Sequence, residues 1–318
     1  MKKSLLMLGV AAAALASCTN EEVVNVAENR AIGFNSFVDN NTRAVTDLTT
    51  AGLTKFYVFG DYDKGASVAF SNTEVTGTSG GNYIPANPAY WQAGKTYEFG
   101  AYSNGNAKLG GVTFTNGTLT ISGYNVDDEN DLVAATQSGI AAPAAGEDKS
   151  VALTFKHLLS KVKFTFSTSA VPEAFRMEVS NLTFNGTKTD ATCVFSNNTI
   201  STDWTGTSGA YTVPTLDDYA VTGGKASTED ILVIPQANTN ITASFTVTIY
   251  DQKTDAQIAT NDFTASLNST EWVEGNVYNY TATINPNQVD GNLKPITFTV
   301  DKVEEWISTP DVPTTAQN

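Results

Sequence analysis

The chain carries 318 residues, 41% apolar, 10% aromatic and only 16% charged, with a formal net charge of −15. That length suits two cores better than one, and the acidity excludes DNA or RNA as a partner, because their phosphates would be repelled. One histidine and two cysteines leave zinc sites of the usual spacing without ligands, so no metal and no cofactor is expected.

The first residues read as a targeting segment and not as fold. Lys2-Lys3 are basic, SLLMLGVAAAALA is an apolar run too short to span a bilayer comfortably, and Leu15-Ala16-Ser17-Cys18 closes it. Small residues directly before a cysteine look like a bacterial lipobox, which implies cleavage between Ser17 and Cys18 and acylation of Cys18. Two or three acyl chains, at about 0.8 kcal/mol per buried methylene, hold a protein stably on a membrane. Residues 1–17 are thus expected to be a lipoprotein signal peptide. With Cys18 acylated, Cys193 has no intrachain partner, and in TDATCVFSN it reads as a small apolar strand residue.

In AIGFNSFV, residues 31–38, Ile32, Phe34, Ser36 and Val38 alternate like a strand with one buried face. Asp39-Asn40-Asn41-Thr42 follow as a loop that ends in Arg43. LTKFYVFGDY is apolar on both faces, as a central sandwich strand is. SNTEVTGTSGGNYIPANP, residues 71–88, reads as a loop rich in Gly, Pro and Asn, and TYEFGAYS, GVTFTNGTLTISG and NDLVAAT as further strands. QSGIAAPAAGEDKS, residues 137–150, is the best linker candidate, which puts an N-terminal domain at 44–145 and a C-terminal one at 146–318. VALTFKHLLSKVKFTFS restarts the alternation around a tight turn at His157–Ser160, and RMEVSNLTFNG, ILVIPQ, ITASFTVTIYD, NVYNYTATI and PITFTVDKV follow as strands. Short strands with regular turn signals indicate an all-β chain of β-sandwiches. WQAGKTYEF (91–99) and WVEGNVYNY (272–280) repeat Trp-x-x-Gly-x-x-Tyr-x-aromatic, one in each half, as two related sandwiches would.

Little of the sequence can do chemistry. Gly77-Thr78-Ser79-Gly80-Gly81 has the form G-x-S-x-G, but a nucleophile elbow needs a strand, a helix and a later histidine base. Asp127-Asp128-Glu129-Asn130-Asp131 lacks the spacing of a calcium loop and reads as a solvated turn. Asp217-Asp218 falls in a turn-like stretch, with nothing to separate the two pKa values. Trp91 and Trp272 could stack on a sugar ring, although their matched positions favour core. The chain is not expected to be an enzyme. Arginine occurs only at Arg30, Arg43 and Arg176. Arg176 leads into a strand, so an arginine-specific protease would find its clean site between Arg43 and Ala44, with Arg30 the other N-terminal choice.

The lipobox, the short strand, Thr42-Arg43-Ala44, LTKFYVFG, FKHLLSKVKFTF, VIPQ, the second Trp-x-x-Gly-x-x-Tyr repeat and the terminal ITFTVDKVEEW occur in that order. The ordered set, from Cys18 to about Ile307, resembles the fimbrillin family, the type V pilins and related pilus proteins of Bacteroidales. The resemblance implies two transthyretin-like β-sandwich domains in tandem and export as a lipoprotein to the outer membrane. It also implies a protease that removes residues 18–43 as a propeptide, so that the protein ends in the fimbrium. The strand carrying Ile32, Phe34 and Val38 would leave with the lipid. A donor strand from another pilin subunit would fill the gap, drawn by analogy from Ile296, Phe298, Val300, Val303 and Trp306. The expected partners are other subunits, the protease, the outer membrane before maturation, and host or bacterial surface ligands. The family also contains anchor and tip proteins, so the alternative is a non-polymerising surface lipoprotein that acts as anchor, tip adhesin or glycan-binding module.

Overall fold

The computed structural model describes residues 31–38, 48–49, 51–78, 82–126, 130–144, 146–168, 174–212, 219–220, 225–237, 240–267, 271–285, 289, 296 and 298–305. Every named element is a strand. β1 is Gly33–Val38, β2 Lys55–Tyr62, β3 Ser67–Thr76, β4 Thr96–Ser103, β5 Val112–Thr115 and β6 Thr118–Tyr124. β7 (Val133–Ala141), β8 (Ser150–His157) and β9 (Ser160–Thr168) lead to the 22-residue β10, Phe175–Ser196. The rest are β11 (Thr199–Thr212), β12 (Tyr219–Ala220), β13 (Lys225–Ser227), β14 (Ile231–Val233), β15 (Thr242–Asp251), β16 (Gln257–Ser266), β17 (Asn276–Ile284) and β18 (Phe298–Glu305). The all-β expectation holds. Turn chemistry accounts for two tight hairpins. Asn116-Gly117 between β5 and β6, and Asn197-Asn198 between β10 and β11, all take positive φ, as two-residue hairpin loops of the favoured twist require.

The strands form three sheets. The first has the order β1-β8-β7-β4-β2-β3. The second runs β16-β15-β10-β6-β5, with β11 and β12 also on β10, and the third runs β13-β9-β17-β18, with β14 on β9. Three clusters of buried side chains result, where length suggested two. One lies within the first sheet and contains Phe34, Phe56, Phe99 and Phe155. Another lies between the second and third sheets, around Phe164, Phe184, Phe245 and Tyr280. The third joins Tyr57, Tyr102 and Ala134, on the far face of the first sheet, to Leu119, Cys193, Phe195 and Trp204. The long β10 makes this join. Its first half pairs with β15, and its second half pairs with β6, from Ala191↔Tyr124 to Ser196↔Thr118.

Several local expectations need correction. The loop read at residues 71–88 begins as strand, because Ser71–Thr76 belong to β3 and Val75 is fully buried opposite Phe56. Of the linker read at 137–150, Gln137–Ala141 continue β7 against β4. Position 145/146 falls in the connection between β7 and β8, which are neighbours in the first sheet. The chain passes from the first sheet to the third at Leu158-Leu159, both fully buried in the third cluster. Asp131, read as part of a solvated turn, is 1% exposed. Its Oδ2 lies 2.8 Å from His157 Nδ1 and accepts a hydrogen bond from the backbone N–H of Leu48.

The internal repeat is a structural device. Trp91 and Trp272 are both buried, which removes them as sugar-stacking platforms. In each copy the residue after the tryptophan donates its backbone N–H to the tyrosine hydroxyl five residues on, Gln92 to Tyr97 at 2.7 Å and Val273 to Tyr278 at 2.8 Å. Gly94 and Gly275 take positive φ in the turn between, which a side chain would strain. Tyr97→Phe and Tyr278→Phe leave that donor unpaired and are each expected to cost about 1–3 kcal/mol. Urea denaturation checks this, and unchanged midpoints would show that the hydroxyls do not hold the turns.

Candidate functional site: the first strand and its groove

β1 follows from its alternation. Ile32 and Phe34 are fully buried, Ser36 and Val38 nearly so, while Asn35 and Phe37 face outward. The strand runs parallel to β8, in register from Gly33↔Ser150 to Val38↔Phe155. Its other edge is also occupied. Ile32 N donates to Ala89 O, and Phe34 exchanges two 2.8 Å backbone hydrogen bonds with Tyr83. β1 is therefore held on both sides, by β8 and by the stretch 82–91. Sequence reasoning missed that second wall, because a single bridge at Tyr83 inside a Pro- and Asn-rich loop leaves no strand pattern.

The groove is aromatic. The Phe34 ring meets Phe56 at 6.0 Å, Phe70 at 5.6 Å and Phe99 at 5.7 Å, in edge or tilted geometry, and Val151, Leu153 and Phe155 of β8 line the same cluster. Gly33 lies close to the Asn82 side chain, which a Cβ there would approach to 2.7 Å and would have to move aside, and which also accepts a hydrogen bond from Ser150. Ser36 Oγ is buried without a hydrogen-bond partner among the described residues. Gly77, the first glycine of the G-x-S-x-G string, lies against the Tyr83 ring, where a Cβ would come within 2.3 Å. The Tyr83 hydroxyl donates to Leu53 O at 2.7 Å. Packing explains that glycine, and Ser79 lies outside the described residues.

At the other end of the chain β18 pairs antiparallel with β17, from Ala282↔Phe298 to Asn276↔Glu305, and is the end strand of the third sheet. Ile296 is 3% exposed within the second-to-third sheet cluster, and Val300 packs against it half-buried. Phe298 and Val303 are placed in β18 by their backbone, opposite Ala282 and Tyr278. Ile32, Phe34 and Val38 therefore come together in one core, Ile296 and Val300 belong to another, and Phe298 and Val303 are placed by backbone pairing alone. Ser17, Cys18, Arg30, Arg43, Ala44, Asp217, Asp218 and Trp306 lie outside the described residues.

The remaining sequence candidates have structural roles. Arg176 is tied to Glu178 and Asp255 and stacks over the Tyr250 ring at 4.3 Å, in the first half of β10, which is paired to β15. Cys193 is fully buried, and burial, with a smaller push from Glu274, raises its thiol to about 12, which leaves it protonated and unreactive.

A model of the fimbrillin-like family matches residues 42–306. No curated protein matches the sequence. Among solved structures, a fimbrial protein from Bacteroides vulgatus superposes with a TM-score of 0.60 at 18% identity, over 87% of this chain and 99% of that one. A candidate cell adhesion protein from Bacteroides uniformis gives 0.52 at 19% identity, over 87% and 99% of the two chains. Another, from Bacteroides ovatus, gives 0.53 at 15% identity, over 88% and 99%. These likenesses are of fold, and the assignment rests on the family match, which runs from beyond β1 through β18. The chain belongs to the fimbrillin-like family.

Proposed function

We propose that this protein is a structural pilus subunit whose β1 is a temporary plug, removed by cleavage after Arg43 and replaced by a strand from a neighbouring subunit. Family membership supports the coarser part, a pilus-related adhesive role in a cell-surface appendage. The observation that carries the finer part is the placement of β1. It fills an aromatic groove with both edges hydrogen-bonded, and along the chain residues 39–47 separate it from Leu48. Burial of Ile32, Phe34 and Val38 contributes roughly 1.5–3 kcal/mol each. Their loss would uncover that surface and the unpaired edge of β8, which is what recruits a foreign strand. A head-to-tail exchange of this kind propagates as an open filament.

Two details favour such an exchange. Leu48, on the far side of the cut, is buried and bonded to Asp131, so the new chain end would stay anchored while β1 leaves. The terminal stretch ITFTV, residues 296–300, matches IGFNS, residues 32–36, at the isoleucine and phenylalanine. It would put Val300 where Ser36 buries an unpartnered hydroxyl, which removes a desolvation cost. Since Ile296 is buried in its own core, the donor must either start at Phe298 or pull Ile296 free. The family match starts at residue 42 and leaves β1 outside it.

In this reading Ser17 and Cys18 form the signal-peptidase site and Cys18 carries the lipid of the outer-membrane precursor. Arg43→Ala is expected to leave a surface protein that begins at Cys18, read by mass spectrometry, and to abolish SDS-resistant ladders. Ladders that persist in that variant would reject cleavage after Arg43 as the assembly switch, and a wild-type surface protein that still begins at Cys18 would instead indicate the anchor or tip role. Phe34→Ala is expected to destabilise the uncleaved chain by about 3–5 kcal/mol and to leave the cleaved form unchanged, both measured by urea denaturation. Equal destabilisation of both forms would contradict removal of β1.

A further inference from the structure

The first sheet contains a second feature that the plug does not use. Asp61 on β2 and Glu98 on β4 are directly opposite each other in register, an arrangement of like charges that opposes strand pairing. Asp61 is 6% exposed. The backbone of Gly65 bonds to this carboxylate, but Asp61 Oδ1 and Glu98 Oε2 are both buried with no hydrogen-bond partner among the described residues. Burial first, and then the charge of Glu98, push the Asp61 carboxyl above its ordinary range. The nearby Lys95 does not relieve the pair, since it is bound to Asp63 at 2.8 Å.

The surroundings supply further oxygens. The β5–β6 hairpin lies across this face, with Phe114 packed where a Cβ on Gly100 would come within 2.5 Å and with Phe114 stacked on Phe59. Its Asn116-Gly117 tip reaches the carboxylates. The space that Gly117 leaves empty is bordered by Ser138 Oγ at 2.8 Å and Glu98 Oε2 at 3.5 Å, measured from a Cβ position. The space beside Gly65 is bordered by Asn116 Oδ1 at 3.3 Å and Asp61 Oδ2 at 3.9 Å. Bulges adjoin both carboxylates: the β2–β3 register shifts between Gly60 and Asp61, and the β4–β7 register shifts between Tyr97 and Phe99, across Glu98. Opposite the single residue Glu98, β7 has two residues, Ser138 and Gly139, so that one is extra, with Gly139 at positive φ. Bulges of this kind re-aim side chains at sites.

We propose that Asp61 and Glu98 bind one calcium ion, with Asn116 Oδ1 and Ser138 Oγ as neutral ligands, so that the ion clamps the hairpin tip onto the first sheet. An all-oxygen donor set selects a hard cation. Ligands drawn from four separate elements suit the adaptable coordination of calcium better than the rigid octahedron of magnesium. Two carboxylates with neutral oxygens fit the weaker, extracellular class of site, with a Kd of about 10⁻⁴ to 10⁻³ M. Asp61 and Glu98 are far apart in sequence and each is followed or preceded by ordinary strand residues, so no local motif announces the pair.

The test is calorimetric titration of CaCl₂, and separately of MgCl₂, into the intact purified chain after chelation, with thermal denaturation in parallel. The expected result is one calcium per chain, a higher Tm in about 10 mM calcium, which is saturating for a site of this class, and a much smaller response to magnesium. Asp61→Asn and Glu98→Gln should abolish the calcium response and yet raise the Tm of the metal-free protein, because each removes one of two opposed charges. That opposite sign separates ligation from simple loss of fold. Asn116→Ala should weaken binding several-fold. No heat or Tm change with calcium, or an unchanged response in Asp61→Asn and Glu98→Gln, would overturn the site. An equal response to magnesium would overturn the choice of ion.

Discussion

The Phe34 ring touches Phe56, Phe70 and Phe99, which come from β2, β3 and β4, and the first core closes around that contact. Parallel pairing with β8 sets the register of the strand that carries Phe34, and the two backbone bonds to Tyr83 hold its other edge. A side chain that completes a core on a strand attached by one short segment gives the fold two properties together. The core is well packed while the strand is in place, and under the proposed cleavage its integrity would depend on a piece that is removed. Ser36 is a weak point in this packing, since its hydroxyl is buried with no hydrogen-bond partner among the described residues.

No residue of β1 belongs to the other two cores. The long β10 belongs to the sheet over one core and to the wall of the next, and Leu158-Leu159 cross from sheet to sheet while fully buried. Trp204 adds to the joint, donating its indole N–H to Leu158 O. The His157–Asp131 pair, which also holds Leu48, sits at the same crossing. Cohesion here comes from shared strands and apolar contact rather than from surface ion pairs, which contribute little at exposed sites.

Much of the local structure was legible, because period-two alternation and turn residues report directly on strands. AIGFNSFV has one buried face as its pattern states and LTKFYVFGDY has two, whereas GVTFTNGTLTISG, read as a strand, is broken by the Asn116-Gly117 turn into β5 and β6. The paired Trp-x-x-Gly-x-x-Tyr motifs proved to share a hydrogen bond as well as spacing. What could not be read depends on partners distant in sequence. His157–Ser160 carries the same turn signal whether its flanking strands pair together or go, as they do, to different sheets. Asp131 in an acidic run looks solvated until His157 is placed against it. Tyr83, inside an apparent loop, became a wall of the groove only through β1. The Asp61–Glu98 opposition arises from register, which alternation alone does not fix.

The central claim is that β1 occupies a site another strand can take. The direct measurement is hydrogen–deuterium exchange of the β8 amides, Val151–Phe155, in the intact chain, after cleavage at Arg43 and release of β1, and after addition of a peptide of residues 296–307. The account predicts protection in the intact chain, its loss when β1 departs, and its return with the peptide. Amides that stay protected after β1 has gone, or that remain open in saturating peptide, would contradict it.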